Sequence, residues 1–221
     1  MVTTTSGVLE RVARRFLQPE TSALLSADAR GVSYRHRIFT VASEIPFAGH
    51  PSLGAAAAHA HRSGVRAGTF VQQTLSGRQE LDVDLADGLG RVTLHQDPAT
   101  FGPVIDPGPI LEALGLDATA SLPGLPAQIV STGLPALIIP VEVDALRHAR
   151  FNRSKLTSAL QGLPDPGSLN CYLVAPAGVD TWRARSFALD LSVGEDPATG
   201  SAAGPFGAYL RQHRGGEGDP R

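Results

Sequence analysis

Two short stretches of this chain are poor in large side chains and rich in glycine, proline and hydrogen-bonding groups. Glu44-Ile45-Pro46-Phe47-Ala48-Gly49-His50 and Glu195-Asp196-Pro197-Ala198-Thr199-Gly200-Ser201 both read E-x-P-x-x-G plus a hydrogen-bonding residue, and a run of small residues follows each. A helix that begins at either turn presents unpaired backbone N–H groups and the positive end of its dipole there. Such ends take anions. Gly49 and Gly200 let a ligand approach the backbone closely, while His50, Thr199 and Ser201 offer side-chain hydrogen bonds. The chemistry this spacing predicts is capture of a small carboxylate. His50 adds an imidazole, a group whose unperturbed pKa of about 6.5 suits proton transfer at neutral pH. Glu195 and Asp196 stand where a helix dipole favours a carboxylate; their plainer reading is an N-cap and first-turn charge.

The elements that must position these turns repeat as well. Arg35-His36-Arg37-Ile38-Phe39 and Arg183-Ala184-Arg185-Ser186-Phe187 share R-x-R-x-F, and each precedes one of the E-x-P turns. Each copy therefore runs strand, tight turn, then a buried helix whose alanines let a sheet wrap closely around it. The alternating arginines lie on one sheet face, solvated or salt-bridged, or else binding an anion. Ahead of the first copy, "VLERVARRFL" has the spacing of an amphipathic helix stopped by Pro19. "TFVQQTL" reads as a strand, and "GRQELDVDLADGLGRVTLHQ" as a hairpin with Asp87-Gly88 near its turn. A Pro- and Gly-rich tract at 97–110 reads as a domain crossover, which divides the chain into 1–100 and 101–221. Beyond it come a short helix at "ILEALG", strands "AQIVST" and "ALIIPVEV", a helix "ALRHARF", an irregular stretch, and strands "NCYLVAP" and "WRARSFALD". This pattern predicts an α+β fold with antiparallel sheets. If the two similar domains face one another, their turns converge on one cleft.

Composition narrows the function. The chain has 221 residues, 42% hydrophobic and 18% charged, with a formal net charge of −2. Lys and Arg form no run that would track a phosphate backbone, so no nucleic-acid partner is expected. No apolar run approaches the roughly 18 residues of a membrane span, and the N-terminus has no signal-peptide core. The expected location is cytoplasmic. One cysteine, Cys171, excludes an internal disulfide and any mechanism needing two thiols in one chain; it reads as a buried core residue. His59 and His61 diverge on a helix, so no metal site is expected from them. The chain carries neither a P-loop nor a G-x-S-x-G nucleophile elbow.

"EIPFAGHPSLGAA" and "GEDPATGSAAGP", with "PETSALL", "RIFTVASEIPFAGHP" and "AQIVSTGLPALIIPV", resemble the PhzF-like phenazine-biosynthesis family from about Val8 to about Leu210. The resemblance implies a diaminopimelate epimerase-like fold: two pseudo-symmetric domains, each a mainly antiparallel sheet wrapped around a central helix. It implies an isomerase of a small carboxylate that uses neither metal nor organic cofactor. The family's catalytic glutamate falls on Glu20 of "PETSALL", where spacing alone reads a solvated acid just after a helix. As general acid/base it would take a proton from a carbon beside an activating group and return it elsewhere, a task for a carboxylate whose pKa burial has raised. Gly49 and His50 match the family's ligand-contacting pair. Asp196 matches a group that binds a substrate amino or hydroxyl, and Ser201 with the Gly200 amide matches a carboxylate site. The family pattern also places a strand and a G-N-P segment before the first helix, and Q-G and R-P-S-like segments after residue 210. On that pattern 1–100 lacks a first strand and 101–221 its last strands, so the expectation is that a homodimer partner completes the core, that the product is marginal, or that the chain is a gene fragment. The other reading is a non-catalytic pseudoenzyme or small-anion-binding protein of the same fold.

Overall fold

The computed structural model describes residues 6–86, 90–167, 169–189, 194–196 and 199–215. They fall into two compact units, residues 1–97 and 98–221.

Unit 1 contains α1 (Ser6–Phe16), β1 (Thr21–Leu25), β2 (Tyr34–Phe39), β3 (Glu44–Ile45), α2 (Gly49–Arg62), β4 (Ala67–Thr74), β5 (Gly77–Asp84) and β6 (Arg91–His95). Leu17, at φ 52°, ends α1 two residues before Pro19. The sheet runs β1-β2-β4-β5-β6, with β3 paired to β2. All pairings are antiparallel except the short β2–β4 one. In β5, Gln79, Leu81 and Val83 are buried while Arg78, Glu80, Asp82 and Asp84 are exposed, the period of two of a half-buried strand. The helix α2 lies on the buried face and touches β1, β2, β4, β5 and β6. Ala55, Ala56 and Ala60 make that approach possible: their small side chains meet Tyr34, Phe70 and Leu81 without holding the helix away from the strands. Gly77, at φ 121°, shapes a β4–β5 hairpin that the sequence reading does not contain. The expected hairpin follows as β5–β6, in register from Asp84↔Arg91; its turn at Asp87-Gly88 lies outside the described residues.

Unit 2 contains β7 (Thr100–Val104), α3 (Gly108–Ala113), β8 (Gln128–Ser131), β9 (Pro135–Pro140), α4 (Val143–His148), α5 (Arg153–Ala159), β10 (Asn170–Pro176), β11 (Trp182–Phe187), β12 (Glu195–Asp196) and α6 (Gly200–Arg214). The sheet order is β12-β11-β10-β9-β8-β7, and only β9–β10 is parallel. The tract at 97–110 holds ordered elements, β7 and the start of α3. Pro103 fits because β7 is an edge strand whose ladder shifts between Phe101 and Val104. The stretch read as irregular folds into α5, whose first turn is capped by Asn152 Oδ1 accepting from the Lys155 amide at 3.0 Å. Leu137, Ile139, Cys171 and Leu173 face the core with α3, α4 and α5, while Ala136, Ile138 and Val174 face Ala202 and Tyr209 of α6. The sheet of unit 2 thus carries α6 on one face and α3, α4 and α5 on the other. Cys171 is fully buried, and burial pushes its thiol up to about 12. Among the described residues, no helix is long and apolar enough to cross a membrane.

Candidate active site

The sequence repeat is a repeat in space. In unit 1, β2 pairs with β3 as Ile38↔Ile45 and Phe39↔Glu44; in unit 2, β11 pairs with β12 as Ser186↔Asp196 and Phe187↔Glu195. The second arginine of each R-x-R-x-F forks the glutamate of the following E-x-P. Arg37 donates from Nε to Glu44 Oε1 at 2.8 Å and from Nη2 to Oε2 at 2.5 Å. Arg185 donates to Glu195 Oε1 at 2.7 Å and Oε2 at 2.8 Å. Each guanidinium also lies 5.0 Å from the ring of the motif's phenylalanine, Phe39 or Phe187. These bidentate contacts hold both arginines above the ordinary guanidinium range. Glu195 is therefore a strand residue locked to Arg185, and neither an N-cap nor an arginine-based anion site is formed by that pair.

The strand pair that each fork closes delivers the chain to a helix. Ala48 is the N-cap of α2 and Thr199 that of α6, and neither supplies a side-chain cap. The Thr199 hydroxyl instead donates to Asp196 Oδ2 at 2.6 Å, which orients that carboxylate beside the first turn of α6. Gly200 and Ser201 begin α6, Ser201 buried and Gly200 exposed. Gly49 and His50 begin α2, with Pro51 in the first turn, where its missing N–H costs no helix hydrogen bond.

Glu20 departs from its reading as a solvated acid. It directly precedes β1, its side chain is only 11% exposed, and Oε2 is shielded from solvent. That oxygen lies 3.4 Å from Nε2 of His50, whose side chain is 60% exposed. Unit 1 thus brings Glu20, Gly49 and His50 together at one helix start, and unit 2 brings Asp196, Gly200 and Ser201 together at another. A separate hollow of about 460 Å³ at the far end of α2, bordered by Leu24, Tyr34, His59 and Arg62, contains none of these residues. His59 there is half-buried against the Tyr34 and Phe70 rings, and its pKa is lowered by burial and by Arg62.

Sequence reasoning missed three groupings. Glu80, Asp82 and His95 meet on the exposed face of β5 and β6, their ligand atoms within 4.8 Å of one another. The signal for it was the cross-strand register Glu80↔His95. Asp82 is already engaged there by Thr69 at 2.6 Å and His95 at 2.7 Å. The Arg–Glu forks were the second, and their signal was the repeat itself. The third is a buried hydrogen-bond chain through His36 and Gln72. No periodicity marks it, because it links residues distant in sequence.

Comparison with known proteins identifies the family. Residues 3–219 match the family model described as phenazine biosynthesis-like protein. An uncharacterized isomerase of Salmonella typhimurium, YddE, is 31% identical over 218 residues, 96% of this chain and 71% of its own length. The trans-2,3-dihydro-3-hydroxyanthranilate isomerase of Pseudomonas aeruginosa is 32% identical, across 93% of this chain and 69% of that protein. A Pseudomonas aeruginosa structure described as a predicted epimerase superposes with a TM-score of 0.82 at 35% identity, covering 97% of this chain and 74% of the other. With two α+β units that repeat one strand, turn and helix device, this chain belongs to the phenazine biosynthesis-like protein family.

Proposed function

We propose that the protein is an isomerase of a small carboxylate, working without metal or organic cofactor and moving a proton with Glu20. The observation that carries the reading is the pairing of a shielded carboxylate with an imidazole at a helix start: Glu20 Oε2 lies 3.4 Å from His50 Nε2. A buried carboxylate acts as base on an acidic C–H and, once protonated, as the acid that returns the proton to another carbon. His50 holds the substrate with Gly49 and steadies the carboxylate between the two transfers. The start of α6 takes the substrate's own carboxylate through the Gly200 amide and the Ser201 hydroxyl, and Asp196 takes its amino or hydroxyl group.

Solvent isotope exchange tests it. The protein is incubated in deuterated water with small carboxylates that carry an amino or hydroxyl group near an acidic C–H. The panel includes trans-2,3-dihydro-3-hydroxyanthranilate, named for the Pseudomonas relative. Deuterium at carbon with the native protein, reduced by about 10²-fold or more in Glu20→Gln, is the expected result. Binding of these acids with no exchange would favour the anion-binding reading instead.

A further inference from the structure

The residue between the two arginines of the first repeat is His36, and the second copy has Ala184 in its place. His36 is 1% exposed, so both ring nitrogens need partners. Both have them. Nδ1 lies 2.9 Å from Gln72 Oε1, and Nε2 lies 2.9 Å from Ser22 Oγ. An amide oxygen only accepts, so Nδ1 carries the proton and Nε2 accepts from the Ser22 hydroxyl. Gln72 Nε2 passes the chain on, donating to Ser52 Oγ at 2.9 Å and to Gln79 Oε1 at 3.2 Å. The Ser52 hydroxyl closes it, donating to the Ala48 carbonyl at 2.8 Å. Burial lowers the His36 pKa against the opposing Gln72 contact, which favours the neutral ring and its single tautomer.

The two ends of this chain are informative. Ser22 lies two residues after Glu20 on β1, and Ser52 lies two residues after His50 in the first turn of α2. Four side chains therefore tie the strand that directly follows the carboxylate to the helix turn that carries the imidazole. We propose that His36 is a positioning residue, holding Glu20 and His50 in register through Ser22, Gln72 and Ser52. This rests on the reading of Glu20 as the proton-transfer group. The repeat supports it: Ala203 stands where Ser52 does, just as Ala184 stands where His36 does. Both copies keep the Arg–Glu fork, so the fork belongs to the shared scaffold. This chain, buried at His36, Gln72 and Ser52 and exposed at Ser22, occurs in the copy that carries Glu20, and a misplacement of about 1 Å at a reacting group can cost about 10²-fold in rate.

Ring-¹⁵N NMR of histidine-labelled protein tests the assignment without any substrate. Wild type and Glu20→Gln define the His50 signals with and without its carboxylate neighbour. Ser52→Ala and Ser22→Ala cut the chain at either end with substitutions that a helix and a strand edge tolerate. Both are expected to move the His50 signals toward those of Glu20→Gln, as is His36→Phe. Ser22→Thr, which keeps the hydroxyl, is expected to stay at wild type. If His36→Phe does not fold, the two serine variants decide. Wild-type His50 signals in folded Ser52→Ala and Ser22→Ala would overturn the positioning role. Because the readout is free of turnover, shifted signals alongside a wild type that exchanges no deuterium would uphold the positioning and refute the reaction.

Discussion

Burial gives single residues of this chain a chemistry that their neighbours lack. Glu20 is shielded just before β1, whereas Glu80 and Asp82 of the same unit are exposed, Asp82 in contact with His95. His36 is the buried residue whose charge state reaches stability. Its folded pKa lies below the 6.5 of a free imidazole, chiefly through burial. The unfolded chain therefore binds more protons below about pH 6.5, and stability rises with pH there. The His36 contribution is complete above the unfolded value and is lost as the pH falls through the folded one. Denaturant titrations at pH 7.5 and 5.5 should show lower stability at the acid pH, with a smaller difference in His36→Gln. Gly194 is a second residue with a local rule. It sits at φ +76°, and a Cβ added there runs into the Phe151 ring. Gly194→Ala should cost about 1–3 kcal/mol, read from the denaturation midpoint. Neither burial of Glu20 nor the Phe151 contact was legible in the sequence, because both depend on elements far along the chain.

At the scale of elements, the chain uses one device twice: strand, Arg–Glu fork, turn, helix start. The repeat made this device legible, down to the small residues of α2 and α6, since alanines mark a helix that a sheet approaches closely. The role of each arginine was not, because a strand pattern places a side chain on a face without choosing its partner. Arg37 and Glu44 are mostly shielded, with side chains 14% and 17% exposed. Arg37→Ala should destabilise the protein by about 2 kcal/mol, and Arg37→Lys should recover only part of this because an ammonium cannot fork a carboxylate. A double-mutant cycle with Glu44→Gln measures the coupling; strict additivity of the two single effects would show the fork to be idle. Elements with conflicting local signals were the ones misread. Pro103 and Gly102 hide β7, which tolerates them as an edge strand, and α5 has only Leu156 as a buried anchor within its seven residues.

For the whole molecule, the division into two α+β units follows from the repeat together with the change of composition near residue 97. The chain spans 71% of the length of its Salmonella relative. Helix α1 carries Val8, Val12 and Phe16 at helical spacing with 39%, 38% and 60% of their surfaces exposed, and Leu17 follows at 76%. Such a stripe is the kind of surface that association covers. We therefore expect a homodimer: sedimentation at about twice the 23.1 kDa of one chain is the predicted result, and Val12→Lys with Phe16→Lys should shift it toward the monomer. A 23.1 kDa species at all concentrations would contradict that expectation.

Proton transfer by Glu20 remains the claim on which the functional account stands. It is tested most directly by ¹H NMR of a small hydroxy- or amino-carboxylate incubated with the protein in deuterated water. The account predicts loss of one C–H signal with the native protein and a rate lower by about 10²-fold or more with Glu20→Gln. Equal exchange by the two proteins would contradict it.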